Sequence, residues 1–137
     1  MAYDLQIGAI TVYCEASGES PEAQLAVAFT FENRLADPSH RYGRSVAEVC
    51  LRRYQYSEWN ADQVDNTNLL RAARCPASDP VLQACAYAVQ EAMSGGVTDP
   101  SGGATHYHDT SIPPPSWTQG ATRTGQIGRL VFYKGVQ

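Results

Sequence analysis

The order of local signals predicts an α+β fold, with helices first and a small antiparallel sheet at the C-terminal end. Three observations predict it. Apolar residues run through 4–14 and 20–35 in segments separated by a glycine-containing turn and a good helix cap. Asp79-Pro80 opens another segment of the same kind. Near the end, Thr122 to Ile127 and Leu130 to Lys134 flank Gly128-Arg129, the pattern of a β-hairpin. A chain of 137 residues fits one domain, 1–137, and can bury a core without a metal or disulfide staple.

Each element has its own reason. Leu5, Ile7, Ile10, Val12 and Tyr13, with Ala9 between them, suit a short, largely buried helix that Gly18 ends. Ser20 is a good N-cap, Pro21 suits the first helical position, and Glu22 suits the positive end of the dipole. That helix runs through Leu25, Val27, Ala28, Phe31 and Leu35 and stops near Asp37-Pro38. Residues 38–44 form a polar loop, and Ser45 caps a short helix from Val46 to Leu51. Residues 52–78 mix Tyr54, Tyr56 and Trp59 with polar side chains and read as an extended segment plus loop. The helix opened by Asp79-Pro80 continues to about Met93, followed by the turn-rich Ser94-Gly95-Gly96 and Asp99-Pro100-Ser101-Gly102-Gly103. Thr105 to Asp109 looks like a strand, and 110–120, with three consecutive prolines and Trp117, like an irregular loop. There is no internal repeat.

Composition narrows function. The apolar share of 43% against 18% charged suits a folded globular chain rather than a disordered one. A net charge of −4 argues against a basic face for nucleic acid, so a substrate is held by shape, stacking and hydrogen bonds. The N-terminal Met1-Ala2-Tyr3-Asp4 shows no signal peptide, and no apolar run is long enough for membrane insertion. Cys14, Cys50, Cys75 and Cys85 contain no C-x-x-C pair, which argues against a zinc knuckle. Cys14 and Cys85 read as small core residues on helices. A Cys50–Cys75 bond is the alternative to free thiols in an oxidising compartment, and the sequence leaves the pairing open.

Three groupings can carry chemistry. Glu15 closes an apolar helix just before a glycine-limited turn, with Glu19 four residues on. Partial burial of a carboxyl favours its protonated form, which a general acid for glycosidic cleavage needs near neutral pH. The same spacing also suits two solvated charges at a helix–helix turn. Tyr54-Gln55-Tyr56-Ser57-Glu58-Trp59-Asn60 alternates aromatic and polar residues, so an extended segment would put the aromatics on one face. Sugars offer C–H faces to aromatic rings and hydroxyls to amides, which makes a carbohydrate cleft a natural reading beside an ordinary buried strand. His106 and His108 share one face of a strand and supply two of three ligands for a zinc site, but no H-E-x-x-H partner accompanies them. A Cys14–His nucleophile lacks a base near it in sequence.

The motifs also have a shared order. Val12-Tyr13-Cys14-Glu15-Ala16-Ser17-Gly18-Glu19-Ser20 is followed by Gln24-Leu25-Ala26-Val27-Ala28 and Asn33-Arg34. Then come Gln55-Tyr56-Ser57, Asp99-Pro100-Ser101-Gly102-Gly103-Ala104-Thr105-His106-Tyr107, Pro115-Ser116-Trp117 and Ile127-Gly128-Arg129-Leu130-Val131-Phe132-Tyr133. Taken together over nearly the whole chain, these resemble the SleB-like family of spore-cortex-lytic cell-wall hydrolases. The chain departs from the family pattern at Cys14, where glycine or alanine is common, and at Tyr56, which replaces phenylalanine. No wall-binding module is expected beside it. A lone catalytic domain without a leader looks more like a phage lysin or tail-associated enzyme, made in the cytoplasm and acting on the cell wall.

The resemblance implies a lysozyme-like domain that cuts peptidoglycan glycan strands between N-acetylmuramic acid and N-acetylglucosamine, with Glu15 as catalytic acid. It implies a lytic transglycosylase, which needs one carboxyl because the substrate's own 6-hydroxyl closes the ring. An ordinary glycosidase needs two. Glu19, Gln55, Ser57, Thr105 and Tyr107 are then expected to hold the sugar or polarise the acid, with Trp59 and Trp117 as stacking surfaces. The expected protein is a monomer that needs no metal or other cofactor. The competing expectations are a zinc-dependent amidase or peptidase acting on the peptide stems, and a murein-binding virion domain that has lost catalysis.

Overall fold

The computed structural model describes residues 2–52 and 74–137. Its helices start where short polar side chains can satisfy the free N–H groups of a first turn. The Ser20 hydroxyl accepts from the Ala23 N–H at 3.2 Å and opens α2 (Pro21–Leu35). The Ser45 hydroxyl accepts from the Glu48 N–H at 3.1 Å and opens α3 (Val46–Leu51). The Asp79 carboxylate accepts from the Leu82 N–H at 3.0 Å and opens α4 (Pro80–Ser94). Each such cap contributes about 1 kcal/mol. The first helix, α1 (Ala2–Ala16), begins and ends slightly outside the predicted 4–14, and Ser17 and Gly18 form its turn as expected.

The helices pack around one apolar cluster. Val12 and Ala16 of α1, Val27 and Phe31 of α2, Val49 of α3 and Cys85 and Val89 of α4 all lie in it. Gly8 lets α1 approach α4 closely, since a Cβ there would stand 3.0 Å from Val89 Cγ1. The Asp4 carboxylate accepts from the Ala47 N–H at 2.9 Å and so docks the start of α3 onto α1. No disulfide joins the four cysteines, with Cys50 and Cys85 buried and Cys14 and Cys75 half-buried, so the Cys50–Cys75 bond is not formed. Burial, with Asp79 adding to it, pushes the Cys85 thiol up to about 12, which keeps it protonated and inert.

The C-terminal part is a three-stranded antiparallel sheet in the order β1-β3-β2, from β1 (His106–Asp109), β2 (Thr122–Ile127) and β3 (Leu130–Lys134). Both hairpin strands fall where the sequence predicts them. β3 is central, and its Phe132 is fully buried and joins the helical cluster. Tyr107 pairs with Phe132 and Asp109 with Leu130 across the β1–β3 ladder. A single 3₁₀ turn, Ser116–Thr118, interrupts the irregular 110–120 loop. Among the described residues no helix is long and apolar enough to cross a membrane. Most of the segment read as extended, 53–73, lies outside the described residues, and with it Tyr54, Gln55, Tyr56, Ser57, Glu58 and Trp59.

Candidate active site

The site forms where the end of α1 meets β1. Glu15 is half-buried in the last turn of the helix. Tyr107, on the face of β1 that looks into the core, donates its hydroxyl to Glu15 Oε1. Its ring leans on Phe132, with centroids 5.6 Å apart, so a fully buried side chain sets the angle of the hydroxyl. A helix-end carboxyl thus meets a fixed phenol across 92 residues of chain.

Polar side chains from α2 hold β1 in place. The Asn33 amide donates to Asp99 Oδ2 at 2.9 Å and to the Ala104 carbonyl at 2.8 Å. Asp99 in turn accepts from the Ser101 N–H at 2.8 Å, the Ser101 hydroxyl at 2.6 Å and the Gly103 N–H at 3.0 Å. Asp99 is therefore the turn residue that its place before Pro100 suggests. Arg34, buried within α2, donates its Nε to the Thr105 carbonyl at 2.6 Å. Asn33-Arg34 and the Asp99–Ala104 stretch, far apart in sequence, are thus two sides of one clamp that delivers Tyr107. The signal available beforehand was the Asn33-Arg34 pair near the end of the Ser20-capped helix. Gln24, also buried, donates to the Ala16 carbonyl at 3.1 Å and caps the end of α1 that carries Glu15.

The remaining sequence candidates are distributed around this centre. Thr105 precedes β1, and its hydroxyl shares a hydrogen bond with His106 Nδ1 at 2.8 Å. Glu19 lies in the α1–α2 turn and directs its carboxylate to the Arg129 N–H. Trp117 packs against His106, His108 and Tyr133, with ring centroids 5.1, 6.2 and 5.4 Å away, on the face of β1 opposite Tyr107. Gln55, Ser57 and Trp59 lie outside the described residues. The His108 ring is engaged at both nitrogens, Nδ1 with the Asp109 carbonyl at 3.0 Å and Nε2 with the Tyr133 hydroxyl at 3.2 Å. No group of three potential metal ligands occurs among the described residues. Burial, and then the Arg34 and Arg41 charges, push His106 down to about 4, so it is neutral at pH 7. An apolar groove of about 400 Å³ between α2 and α4, bordered by Leu25, Tyr87, Ala88 and Pro100, does not include Glu15.

Comparison with known proteins gives the family and the fold. The family model described as Cell Wall Hydrolase matches residues 18–133, beginning just after Glu15. A spore cortex-lytic enzyme of Halalkalibacterium halodurans is 30% identical over 129 residues, 94% of this chain and 34% of that protein. The chain thus spans about a third of that relative's length. Among solved structures, the catalytic domain of Bacillus cereus SleB superposes with a TM-score of 0.75 at 25% identity, covering 98% of this chain and 91% of that one. The catalytic domain of SleB from Bacillus anthracis, described as a germination-specific lytic transglycosylase, gives 0.73 at 25% identity, covering 98% and 96%. The fold, a mixed helical domain with a small three-stranded sheet, is that of the SleB catalytic domain.

Proposed function

The chain belongs to the cell wall hydrolase family, and on that premise we propose that it cuts the glycan strands of peptidoglycan as a lytic transglycosylase, with Glu15 as its one catalytic acid. The observation that carries the reading is the half-buried Glu15 carboxyl held at Oε1 by the Tyr107 hydroxyl. The phenol fixes the orientation of the carboxyl, and on this reading the other oxygen, Oε2, carries the proton to the bond between N-acetylmuramic acid and N-acetylglucosamine. Glu15 gives its proton to the glycosidic oxygen as the C1–O bond breaks. The muramic 6-hydroxyl then attacks C1, its proton passes to the Glu15 carboxylate, and the acid is regenerated with a 1,6-anhydro product.

Among the described residues, the neighbouring acids support one carboxyl rather than two. Glu19 is turned to the Arg129 N–H, Asp99 to the Asn33, Ser101 and Gly103 donors, and Asp109 to Arg129 and the Ser111 N–H. An inverting glycosidase needs a second carboxyl about 6.5–9.5 Å from the acid and a retaining one needs it about 5–5.5 Å away, free to act on water or sugar. Thr105 borders the cleavage point beside Tyr107. Trp117 offers its half-buried indole to a more distant sugar.

Mass analysis of digested murein tests the reading. The expected muropeptides lack one water relative to ordinary reducing ends and resist borohydride. Reducing muramic ends would make the protein a hydrolase whose second carboxylate comes from residues 58–65 or 99–109. Cut stems with intact glycan would make it an amidase or peptidase.

A further inference from the structure

Glu19 sits at a point where the two halves of the site are joined. Its own backbone is fixed at the end of α1: its N–H donates to the Ala16 carbonyl at 3.0 Å, and its carbonyl accepts from the Gln24 amide at 3.4 Å. Its side chain reaches away from that helix to the β2–β3 turn, where Oε1 accepts from the Arg129 N–H at 3.3 Å. Gly128 makes the approach possible twice over. It holds φ at +57°, which disfavours a side chain, and a Cβ there would stand 2.9 Å from Glu19 Oε1. The turn so held is itself tied to β1. The Arg129 carbonyl accepts from the Thr110 N–H at 2.8 Å, and the Arg129 guanidinium pairs with Asp109 at 3.3 Å. Tyr107 lies two residues further along β1, roughly 7 Å away at strand spacing. Its hydroxyl returns to Glu15, near the end of the same helix that the turn bearing Glu19 follows. The contacts close a ring from Glu15 through Glu19, Arg129 and Tyr107 back to Glu15.

We propose that Glu19 is a positioning residue whose carboxylate clamps the β2–β3 turn to the end of α1 and so sets the Tyr107 hydroxyl against Glu15. The inference rests on Glu15 being the acid, and it places Glu19 behind the reacting groups rather than on the sugar. An ionised acceptor suits the task because hydrogen bonds to a charged oxygen are the stronger ones. Glutamate has the reach, whereas aspartate is one methylene short. Glutamine keeps an acceptor oxygen at the same length, so it should keep most of the clamp.

The experiment measures kcat and KM separately on soluble, uncrosslinked murein strands for Glu19→Ala, Glu19→Asp and Glu19→Gln. Each is also made in a Tyr107→Phe background, and Glu15→Gln is assayed alongside. Glu19→Ala should lower kcat by about ten- to a hundredfold, the loss typical of one hydrogen bond to a charged group, with KM little changed. Glu19→Asp should resemble it. Glu19→Gln should stay within about threefold of wild type, a rescue that a second catalytic carboxyl would not show. In the Tyr107→Phe background Glu19→Ala should cost little more, because both changes break one ring. The proposal is overturned if Glu19→Gln is as inactive as Glu19→Ala, if the loss lies in KM, or if the two losses multiply. Failure of the underlying reading shows separately, as an active Glu15→Gln.

Discussion

The helical half and the strand half of this molecule are held by different forces. Residues from α1, α2, α3 and α4 bury one continuous apolar cluster, and each of α2, α3 and α4 starts on its own side-chain cap. The strand half contributes far less apolar surface, chiefly Leu130 and Phe132, and is steered by directional polar bonds from the helices: Asn33 to Ala104, Arg34 to Thr105 and Glu19 to Arg129. Apolar burial is roughly proportional to area and indifferent to direction, whereas a hydrogen bond weakens steeply once misaligned. The helical half therefore supplies stability and the polar bonds supply aim. The candidate acid stands on the first half and its phenol partner on the second.

Changes at the junction should separate stability from activity most sharply. Glu15→Gln should lower murein cleavage by about 10²–10⁴-fold or more while the thermal transition stays in place, since the side chain keeps its shape and loses its proton. A folded variant that clears a murein suspension at the wild-type rate would remove Glu15 from the mechanism. Phe132→Ala, where the sheet enters the helical cluster, should instead destabilise the whole domain by about 3–5 kcal/mol in denaturant titration, as expected for a buried aromatic. A change below 1 kcal/mol would mean that the apolar seal between the halves matters less than the polar bonds.

The polar steering can be tested on its own. Asn33→Ala leaves the Ala104 carbonyl and the Asp99 carboxylate without that amide donor, a cost of about 1–3 kcal/mol. Hydrogen exchange should then quicken at β1 amides while those of α1 and α4 keep their protection. Uniform quickening would show that the halves do not unfold separately.

The pH response has a sign that follows from His106. The unfolded chain takes up the proton near pH 6.5 and the folded chain only at about 4. Stability therefore falls as pH is lowered through that window, with a slope of at most one proton. Glu32, held above its usual value by burial and then by Asp4, has the opposite sign and offsets part of the loss at the acid end. His106→Gln should flatten the slope between pH 6.5 and 4 in thermal melts, and an unchanged slope would place the titrating group elsewhere. The smallest effect expected is that of a strong chelator, which should leave activity unchanged because His108 already uses both ring nitrogens within the protein. Collapse of activity with recovery on zinc would restore the histidine pair as the centre of the chemistry.

The sequence by itself determined the helices and the hairpin, because caps and apolar periodicity act within a few residues of where they are written. Ser20, Ser45 and Asp79 each start a helix at the predicted position, and Gly128-Arg129 marks the hairpin turn. Glu15 could be singled out as a helix-end carboxyl, and the family likeness could be read from the order of the motifs. Only the tertiary structure decided which partner each polar residue meets. Glu19 and Arg129 are separated by 110 residues, and Asn33 and Ala104 by 71. No local pattern reports such a pairing, since a hydrogen-bond donor looks the same in sequence whether it faces water, a sugar or a distant carbonyl. The same holds for Trp117. Its indole reads in sequence as a stacking surface, and only the fold sets it against His106 and His108, on the face of β1 opposite Tyr107, so that any sugar it meets lies away from the one at Glu15.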